Sequence, residues 1–248
     1  MRRKTETGVP VDEQFGIGTD YQPNSANLTY EEPGVVYWTD QRIRASLRYQ
    51  WDVYARARAV AEANGVKRVL DVGCGPATKL MECLAPVCEV VGVDQPGAIA
   101  LCRERYRSGD FVAINLENDT DRIEGSFGLI VCSDVVEHMV DPDRLLDFIR
   151  RHASADTTIL ISTPCRRRLR GPHSCRPPRP EHIREWTAAE FVSYLRSRGF
   201  VVERSEFLPP VRIGFDQLFL RHFLGQLLRG RSFRYSHLVT ARVACSSG

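Results

Sequence analysis

A carboxylate and two glycines lie in the turn that follows a short apolar run, in the stretch VLDVGCGPATKL of residues 69–80. A glycine-rich turn between a strand and a helix brings backbone N–H groups against a small ligand. Asp71 would repel a pyrophosphate but attract an ammonium group, and Thr78 stands where the dinucleotide fingerprint requires its third glycine. With Gly73 and Gly75, the pattern therefore predicts a site for a ligand with a positive end.

Polar residues also follow the next two apolar runs. Asp94 ends the run CEVVGVD, where a carboxylate can accept both hydroxyls of a ribose. Asn115 and Leu116 follow the run FVAI, where a side-chain amide suits an adenine edge beside an apolar wall. A ribose, an adenine and a cationic amino acid, without a phosphate, are the parts of S-adenosylmethionine (SAM). SAM is therefore the ligand that these positions predict.

The segment SDVVEHMVDP, residues 133–142, offers groups for proton transfer or metal binding. If the chain turns helically here, the i, i+3, i+4 spacing places Asp134, Glu137 and His138 on one face. That face would suit a hard divalent ion such as Mg²⁺, which acidifies a coordinated hydroxyl. In a metal-free alternative, Glu137 pairs structurally and His138 lines an acceptor pocket. In either case His138 is the first candidate general base, because imidazole titrates near neutrality.

A second histidine opens the segment HIREW, which follows a loop rich in arginine and proline at residues 165–186. His182 could be a second base or an acceptor ligand, or it could satisfy local backbone groups while Trp186 packs in the core. The loop carries seven arginines between Arg166 and Arg184. They are either solvated or placed to bind a carboxylated or phosphorylated acceptor. Aromatic residues are absent from the loop before Trp186, which disfavours RNA.

Composition sets the broad class of the protein. The chain has 248 residues, a net charge of +3 and 43% hydrophobic residues, enough for one sizeable core and without a strongly basic field for nucleic acid. No run reaches the roughly 18 apolar residues of a membrane-spanning helix, so we expect a soluble, cytoplasmic protein. The eight cysteines form no C-x-x-C pair, which favours reduced, packed thiols.

The elements that must position these residues alternate between short apolar runs and helical patterns. This alternation predicts an α/β fold with a doubly wound, mostly parallel seven-stranded sheet and an antiparallel terminal strand. We expect an irregular N-terminal arm, a tail or a lid, over residues 1–40, and one domain over residues 41–248. A single amphipathic helix is expected from Asp40 to Asn64, and the loop 165–186 is expected to lack regular structure.

A late apolar and basic helix is predicted from about Gly214 to Leu228. Its apolar face is broader than one core contact needs. Four roles stay open for it: packing on the sheet edge, walling the acceptor pocket, forming a homodimer seam, or contacting a membrane surface.

In combination, the motifs VLDVGCG, VVGVDQ, INLE, FGLIVCSDVVEHMVDPDRLL and ILISTP resemble the class I SAM-dependent methyltransferases, over roughly residues 41–205. The resemblance implies a Rossmann-like methyltransferase fold. It also implies a role for each motif residue. Asp71, Gly73 and Gly75 would surround the methionine moiety, and Asp94, with Gln95 beside it, would bind the ribose. Asn115 and Leu116 would contact the adenine, and Ser133 would line the cofactor.

Two further segments resemble particular methyltransferase subgroups. The residues from Asp134 to His138 are similar to the metal-binding E-x-x-E-H stretch of ubiquinone-biosynthesis O-methyltransferases, and HIREW is similar to an element of sugar and glycan methyltransferases. The leading hypothesis is methylation of a hydroxyl on a sugar, glycan precursor or related secondary metabolite, with Mg²⁺ as a candidate second cofactor. The alternatives are a lipid-like or aromatic, quinone-type acceptor, or a SAM-binding partner protein without transfer activity.

Overall fold

The computed structural model describes residues 12–18, 21–24, 38–118, 122–179, 181–213 and 217–244. Their centre is one seven-stranded sheet of order β3-β2-β1-β4-β5-β7-β6. The strands are β1 (Arg68–Val72), β2 (Glu89–Asp94), β3 (Asp110–Ala113), β4 (Leu129–Ser133), β5 (Thr158–Pro164), β6 (Phe200–Leu208) and β7 (Ser236–Val243).

Strands β1 to β5 run parallel, and β7 pairs antiparallel with both β5 and β6. The apolar runs form the central strands because both of their faces are covered, and all seven residues of β5 are buried. The predicted doubly wound sheet with an antiparallel terminal strand is confirmed.

The helices lie on both faces of the sheet, with two short one-turn helical segments at Leu80–Leu84 and Val136–His138. None of the helices within the described ranges is long and apolar enough to cross a membrane. The helices are α1 (Asp40–Ser46), α2 (Trp51–Asn64), α3 (Pro96–Arg105), α4 (Pro142–His152), α5 (Arg166–Arg170), α6 (Ala188–Ser197) and α7 (Gln217–Leu227).

The single helix predicted from Asp40 to Asn64 is wrong, because the chain breaks between α1 and α2. Gln50 adopts a left-handed conformation with φ of 67°. Its N–H donates to the carbonyl of Pro210 at 3.0 Å, next to a bridge between Tyr49 and Val211. A backbone contact with a segment far along the chain thus interrupts a pattern that is locally helical.

Two other expectations need correction or limits. The arginine-rich loop is not wholly irregular, since Arg166–Arg170 forms the short helix α5. The late helix is observed as α7, while Gly214 lies outside the described residues. The seven described cysteines are free thiols, and Cys245 also lies outside the described ranges.

The described part of the N-terminal arm packs into the core. Residues Asp12–Phe15 form one 3₁₀ turn, and the side chain of Phe15 is fully buried. The indole N–H of Trp186 donates to the carbonyl of Phe15 at 2.9 Å, and the rings of Phe15 and Tyr194 meet edge to face at 6.0 Å. This stretch is therefore part of the folded domain, whereas residues 25–37 lie outside the described ranges.

Replacement of the Phe15 ring tests whether the arm stabilises the domain. We expect Phe15→Ala to lower the free energy of unfolding by about 3–5 kcal/mol, because it leaves a cavity in the core. Val201→Ala, at a side chain 52% exposed on β6, is the matched control and should change it by less than about 0.5 kcal/mol. Denaturant unfolding followed by circular dichroism measures both. If Phe15→Ala and Val201→Ala changed the free energy of unfolding equally, the arm would not unfold cooperatively with the rest of the domain.

Candidate functional site

A cavity of about 510 Å³ opens at the carboxyl ends of the parallel strands. This is the edge at which open α/β sheets bind their ligands. The site residues predicted from sequence meet there, with Asp71 as an exception that lies behind the wall. The predicted residues that line the cavity are Gly73, Gly75, Asp94, Gln95, Asn115, Leu116, Ser133, Asp134, Glu137, His138 and His182.

The turn after β1 is held tightly against the end of β2. Gly73 has a φ of 78°, and a Cβ atom there would clash with the side chain of Val135. The N–H of Gly73 donates to the carbonyl of Val93 at 2.8 Å, and the N–H of Gly75 donates to the Asp94 carboxylate at 2.7 Å. The two glycines therefore allow a backbone approach that larger residues would block.

Asp71 is fully buried at the end of β1. The Tyr54 hydroxyl donates to its Oδ2 at 2.8 Å, and Oδ1 has no hydrogen-bond partner among the described residues. Burial raises the pKa of Asp71 to about 7, although the Tyr54 hydrogen bond and the charge of Lys79 both act to lower it. Tyr54 and Lys79 line the cavity, and neither is singled out by the sequence motifs.

Asp94 and Asn115 bond to backbone N–H groups beside the cavity. Asp94 accepts the N–H groups of Gly75 and Gln95, each at 2.7 Å, through different oxygens. Each carboxylate oxygen has a second lone pair. The Asn115 side-chain oxygen accepts the N–H of Glu117 at 3.0 Å, which leaves the amide N–H groups as donors. A diol and an adenine edge would thus find acceptors and donors here.

Gln50 links β4, the residue that follows it and β7 beside the cavity, and it was missed by the sequence analysis. Its side-chain nitrogen donates to the Asp134 carboxylate. Its oxygen accepts from the hydroxyls of Ser236 at 3.4 Å and Ser133 at 3.5 Å. The Ser162 hydroxyl donates to the other oxygen of Asp134 at 3.3 Å. A single glutamine inside a helical pattern carries no sequence signal for such a role.

The expected face of Asp134, Glu137 and His138 does not form. Asp134 has a φ of 53°, so the chain turns helically only from Val136 to His138. The cluster that does form consists of Glu137, His138 and His182, whose potential ligand atoms lie within 4.8 Å of one another. Burial raises the pKa of Asp134 to about 6, and its carboxylate is engaged by neighbouring side chains instead.

Both imidazoles in this cluster are oriented through Nδ1. His138 donates its Nδ1–H to the carbonyl of Glu181, and His182 contacts Oε1 of Glu185, both at 2.7 Å. The rings meet edge to face with centroids 4.9 Å apart. Because Nδ1 is engaged in each ring, Nε2 is the nitrogen that remains for a ligand. Burial and the neighbouring His182 lower the pKa of His138 to about 3.

Glu185 carries the charge that orients His182. Its side chain is fully buried, and the Arg170 guanidinium contacts it at 3.0 Å. Burial acts to raise the pKa of Glu185, but the hydrogen bonds from His182 and Arg170 outweigh burial and hold that pKa below its ordinary value. His182 therefore has an ionised carboxylate on the side of its ring opposite Nε2.

The donor chemistry of the cluster does not fit Mg²⁺. Glu137 accepts the Thr163 hydroxyl at 3.0 Å through one oxygen, while the other has no partner among the described residues. Burial raises the pKa of Glu137 well above its usual range, which disfavours the ionised form that a metal ligand requires. Mg²⁺ prefers oxygen ligands in octahedral geometry, whereas two imidazole nitrogens and one carboxyl are offered here. The magnesium site expected at Asp134, Glu137 and His138 is therefore not supported.

The arginines of the loop 165–186 divide into two groups. Arg166 and Arg170 pair with glutamates, and Arg184 is fully buried and donates to backbone carbonyls. Arg179 instead is exposed and lines the cavity, and its guanidinium forms no hydrogen bond or ion pair within the described part of the chain. Three arginines of the loop are thus engaged by groups of the chain itself, whereas Arg179 faces the cavity.

Two curated relatives are similar in sequence to this chain. A probable S-adenosylmethionine-dependent methyltransferase of Mycobacterium tuberculosis is 28% identical over 185 residues, which are 72% of this chain and 66% of that protein. The chain thus spans slightly under two thirds of that relative's length. The ubiquinone biosynthesis O-methyltransferase of Erwinia tasmaniensis is 35% identical over 109 residues, which are 41% of this chain and 44% of that protein.

A solved structure shares the fold. The magnesium protoporphyrin IX methyltransferase of Synechocystis PCC 6803, with bound SAM, aligns with a TM-score of 0.53 and 16% identity over 85% of this chain and 86% of that chain. The family model described as a methyltransferase domain matches residues 43–205, more than half of the chain. Glycine turn, sheet order and family match agree, and the chain belongs to the class I SAM-dependent methyltransferase domains.

Proposed function

We propose that this protein transfers a methyl group from SAM to a hydroxyl of a sugar, glycan precursor or related secondary metabolite. The observation that carries the proposal is the His182–Glu185 pair, which opens into the same cavity as the glycine turn of β1. An alcohol holds its proton with a pKa near that of water, roughly 15.7, so its methylation needs an oriented proton acceptor.

The cofactor side of the cavity would hold SAM through the residues named from the sequence. Asp71 attracts the cationic amino group, and the backbone of Gly73 and Gly75 lies along the methionine moiety. Asp94, with Gln95 beside it, accepts the ribose hydroxyls. Asn115, Leu116 and Ser133 complete the adenine side: Asn115 donates from its amide, Leu116 supplies an apolar wall and Ser133 lines the cofactor pocket. When bound, SAM supplies a sulfonium methyl group for in-line displacement.

His182 replaces His138 as the preferred general base. Nε2 of His182 accepts the hydroxyl proton, and the imidazolium that forms is stabilised by the ionised Glu185 at Nδ1–H. His138 has a pKa of about 3, so it accepts a hydrogen bond from the acceptor rather than a full proton. The two rings meet edge to face, and both histidines line the cavity, which supports an acceptor hydroxyl within reach of both. Arg179 offers a charge-assisted contact to an anionic group on the acceptor.

A second candidate acceptor is lipid-like or aromatic. Its support is the similarity to a ubiquinone biosynthesis O-methyltransferase and the apolar part of the cavity wall, to which Leu169, Tyr49 and Tyr235 contribute. The chemistry at His182 would be the same, since a phenol and a sugar hydroxyl both lose a proton to the base. A panel of acceptors separates the two.

Substitutions at the imidazoles test the base assignment. Radiolabelled SAM is incubated with a panel of saccharides, phenols and lipids, and turnover of the best acceptor is compared among variants. His182→Ala should lose about 10²–10⁴-fold in kcat, Glu185→Gln should lose less, and His138→Ala least of all. His173→Ala, at an exposed histidine of the same loop, is the matched control and should behave as the parent.

Calorimetric titration with SAM completes that experiment. All four variants should bind SAM as the parent does, because the changed groups lie on the acceptor side of the cavity. Normal turnover in His182→Ala would remove it as the base. Tight SAM binding without labelling of any acceptor class by the parent would favour a partner protein without transfer activity.

Metal dependence is a separate test. Because the donor set does not suit Mg²⁺, we expect turnover to be unchanged by added Mg²⁺, and we expect Mg²⁺ not to restore any activity that EDTA removes. Activity that EDTA abolishes and Mg²⁺ restores would contradict the metal-free mechanism. The labelled-acceptor assay described above measures both conditions.

The buried carboxyl of Asp71 predicts a pH dependence of SAM binding. Its pKa of about 7 means that it is largely neutral at pH 6 and mostly ionised at pH 7.5. Only the ionised form attracts the amino group of SAM, and most of that group is protonated over this range. Affinity measured by calorimetry should therefore rise several-fold from pH 6 to 7.5.

Asp71→Asn should weaken SAM binding and flatten this profile. Asp110→Asn, at a carboxylate that is 74% exposed, is the matched control and should keep the full pH dependence. A parent profile that is flat across this range, or a control that flattens it, would exclude Asp71 as the titrating partner of the cofactor.

A further inference from the structure

The segment 209–235 is inserted between two strands that already pair at its ends. Leu208 of β6 stands opposite Ser236 of β7 in the antiparallel register, so the hairpin closes without this segment. The segment contains α7 and carries much more chain than an antiparallel connection requires. Its presence thus needs a reason other than joining β6 to β7.

The insertion exposes most of the large apolar side chains that are exposed within the described residues. Of the large apolar side chains exposed within the described residues, six lie here and only Leu47 and Val201 lie elsewhere. Leu227 is 60% exposed and Leu228 is 87% exposed, so most of the surface of these two side chains contacts water. The exposed side of α7 with its flanks consists of Ile213, Leu220, Phe223, Leu224, Leu227 and Leu228. Surfaces of this kind mark interaction sites.

The insertion that carries these apolar side chains is also rich in arginine. The sequence from residue 207 to 244 contains a single acidic residue, Asp216. Five exposed arginines of the insertion form no ion pair with any described carboxylate. They are Arg212, Arg221, Arg229, Arg231 and Arg234. An apolar side bordered by positive charge is typical of helices that lie in the interface of an anionic bilayer.

The insertion also borders the mouth of the cavity. The imidazole of His222 on α7 contacts the hydroxyl of Tyr49 at 3.2 Å, and the two rings meet edge to face at 5.8 Å. Tyr49 lines the cavity. The guanidinium of Arg231 donates to the carbonyl of Leu169, another lining residue, at 3.3 Å. A surface that binds the exposed side of α7 therefore lies next to the entrance for the acceptor.

We propose that the exposed side of α7 docks this protein onto an anionic lipid bilayer, with the mouth of the cavity beside the membrane surface. A second copy of the chain is a poorer occupant, because a symmetric interface would bring five arginines of each copy together. A neutral apolar surface is also a poorer partner, because it would offer no negative charge to those arginines. The proposal concerns binding, and it does not depend on the base or on the acceptor hydroxyl.

Vesicle co-sedimentation of the full chain tests it. Vesicles of phosphatidylcholine alone are compared with vesicles that contain about one-third phosphatidylglycerol. We expect binding to the anionic vesicles that weakens with salt. The double variant Leu224→Glu/Leu227→Glu should lower the partition coefficient at least about tenfold, and Arg221→Gln/Arg229→Gln should lower it and reduce its salt dependence.

Matched controls separate docking from general surface chemistry. Val201→Glu and Arg204→Gln change an exposed apolar residue and an exposed arginine on β6, and both should bind vesicles as the parent does. Circular dichroism checks that each variant is folded, and light scattering reports the oligomeric state. Equal binding to neutral and anionic vesicles, no binding to either, or a dimer that Leu224→Glu/Leu227→Glu disperses would overturn the proposal.

Discussion

The buried carboxylate of Glu185 is the interaction on which the acceptor side of this protein depends. Taking a carboxylate out of water is costly unless charged partners and hydrogen bonds compensate it. Here His182 and Arg170 supply the partners, and the backbone N–H of Glu185 donates to the hydroxyl of Tyr21. One residue thereby connects the arm, through its backbone, with the arginine-rich loop and the cavity, through its carboxylate. The orientation of the His182 imidazole is a consequence of this arrangement.

Much of the fold was predictable because the central strands are continuous apolar runs separated by helical patterns. Each strand could be predicted from its own residues. The carboxyl ends of β1 and β2 then indicated the positions of the glycine turn and of Asp94. The helix break at Gln50 could not be read in this way, because it depends on contacts with Pro210 and with a strand bridge far along the chain. Local patterns report local preferences, and this break is a tertiary effect.

The candidate site divides along the same line. Asp71, Gly73 and Gly75 could be proposed from the sequence because the turn that they form is a local structure. The proximity of Glu137 to His182 was not predicted, because it depends on where the chain returns after α5. In addition, the left-handed conformation of Asp134 removes this residue from the helical face on which it was expected. The spacing argument assumed that a helix includes Asp134, but the helical turn covers only Val136–His138. Residues that come together through long-range contacts show no regular spacing in the sequence, so a sequence pattern cannot reveal them.

The position of Phe15 has a consequence for how this chain is made. A ribosome delivers the N-terminus first, yet the partners of Phe15 are Trp186 and Tyr194, which emerge long afterwards. The segment around Phe15 therefore leaves the exit tunnel well before these partners, and its aromatic ring can reach its native contacts only after most of the sheet has been synthesised. Closing so long a loop is slow compared with the local contacts of the strands and helices. The earliest residues of the described chain are in this sense among the last to reach their native place.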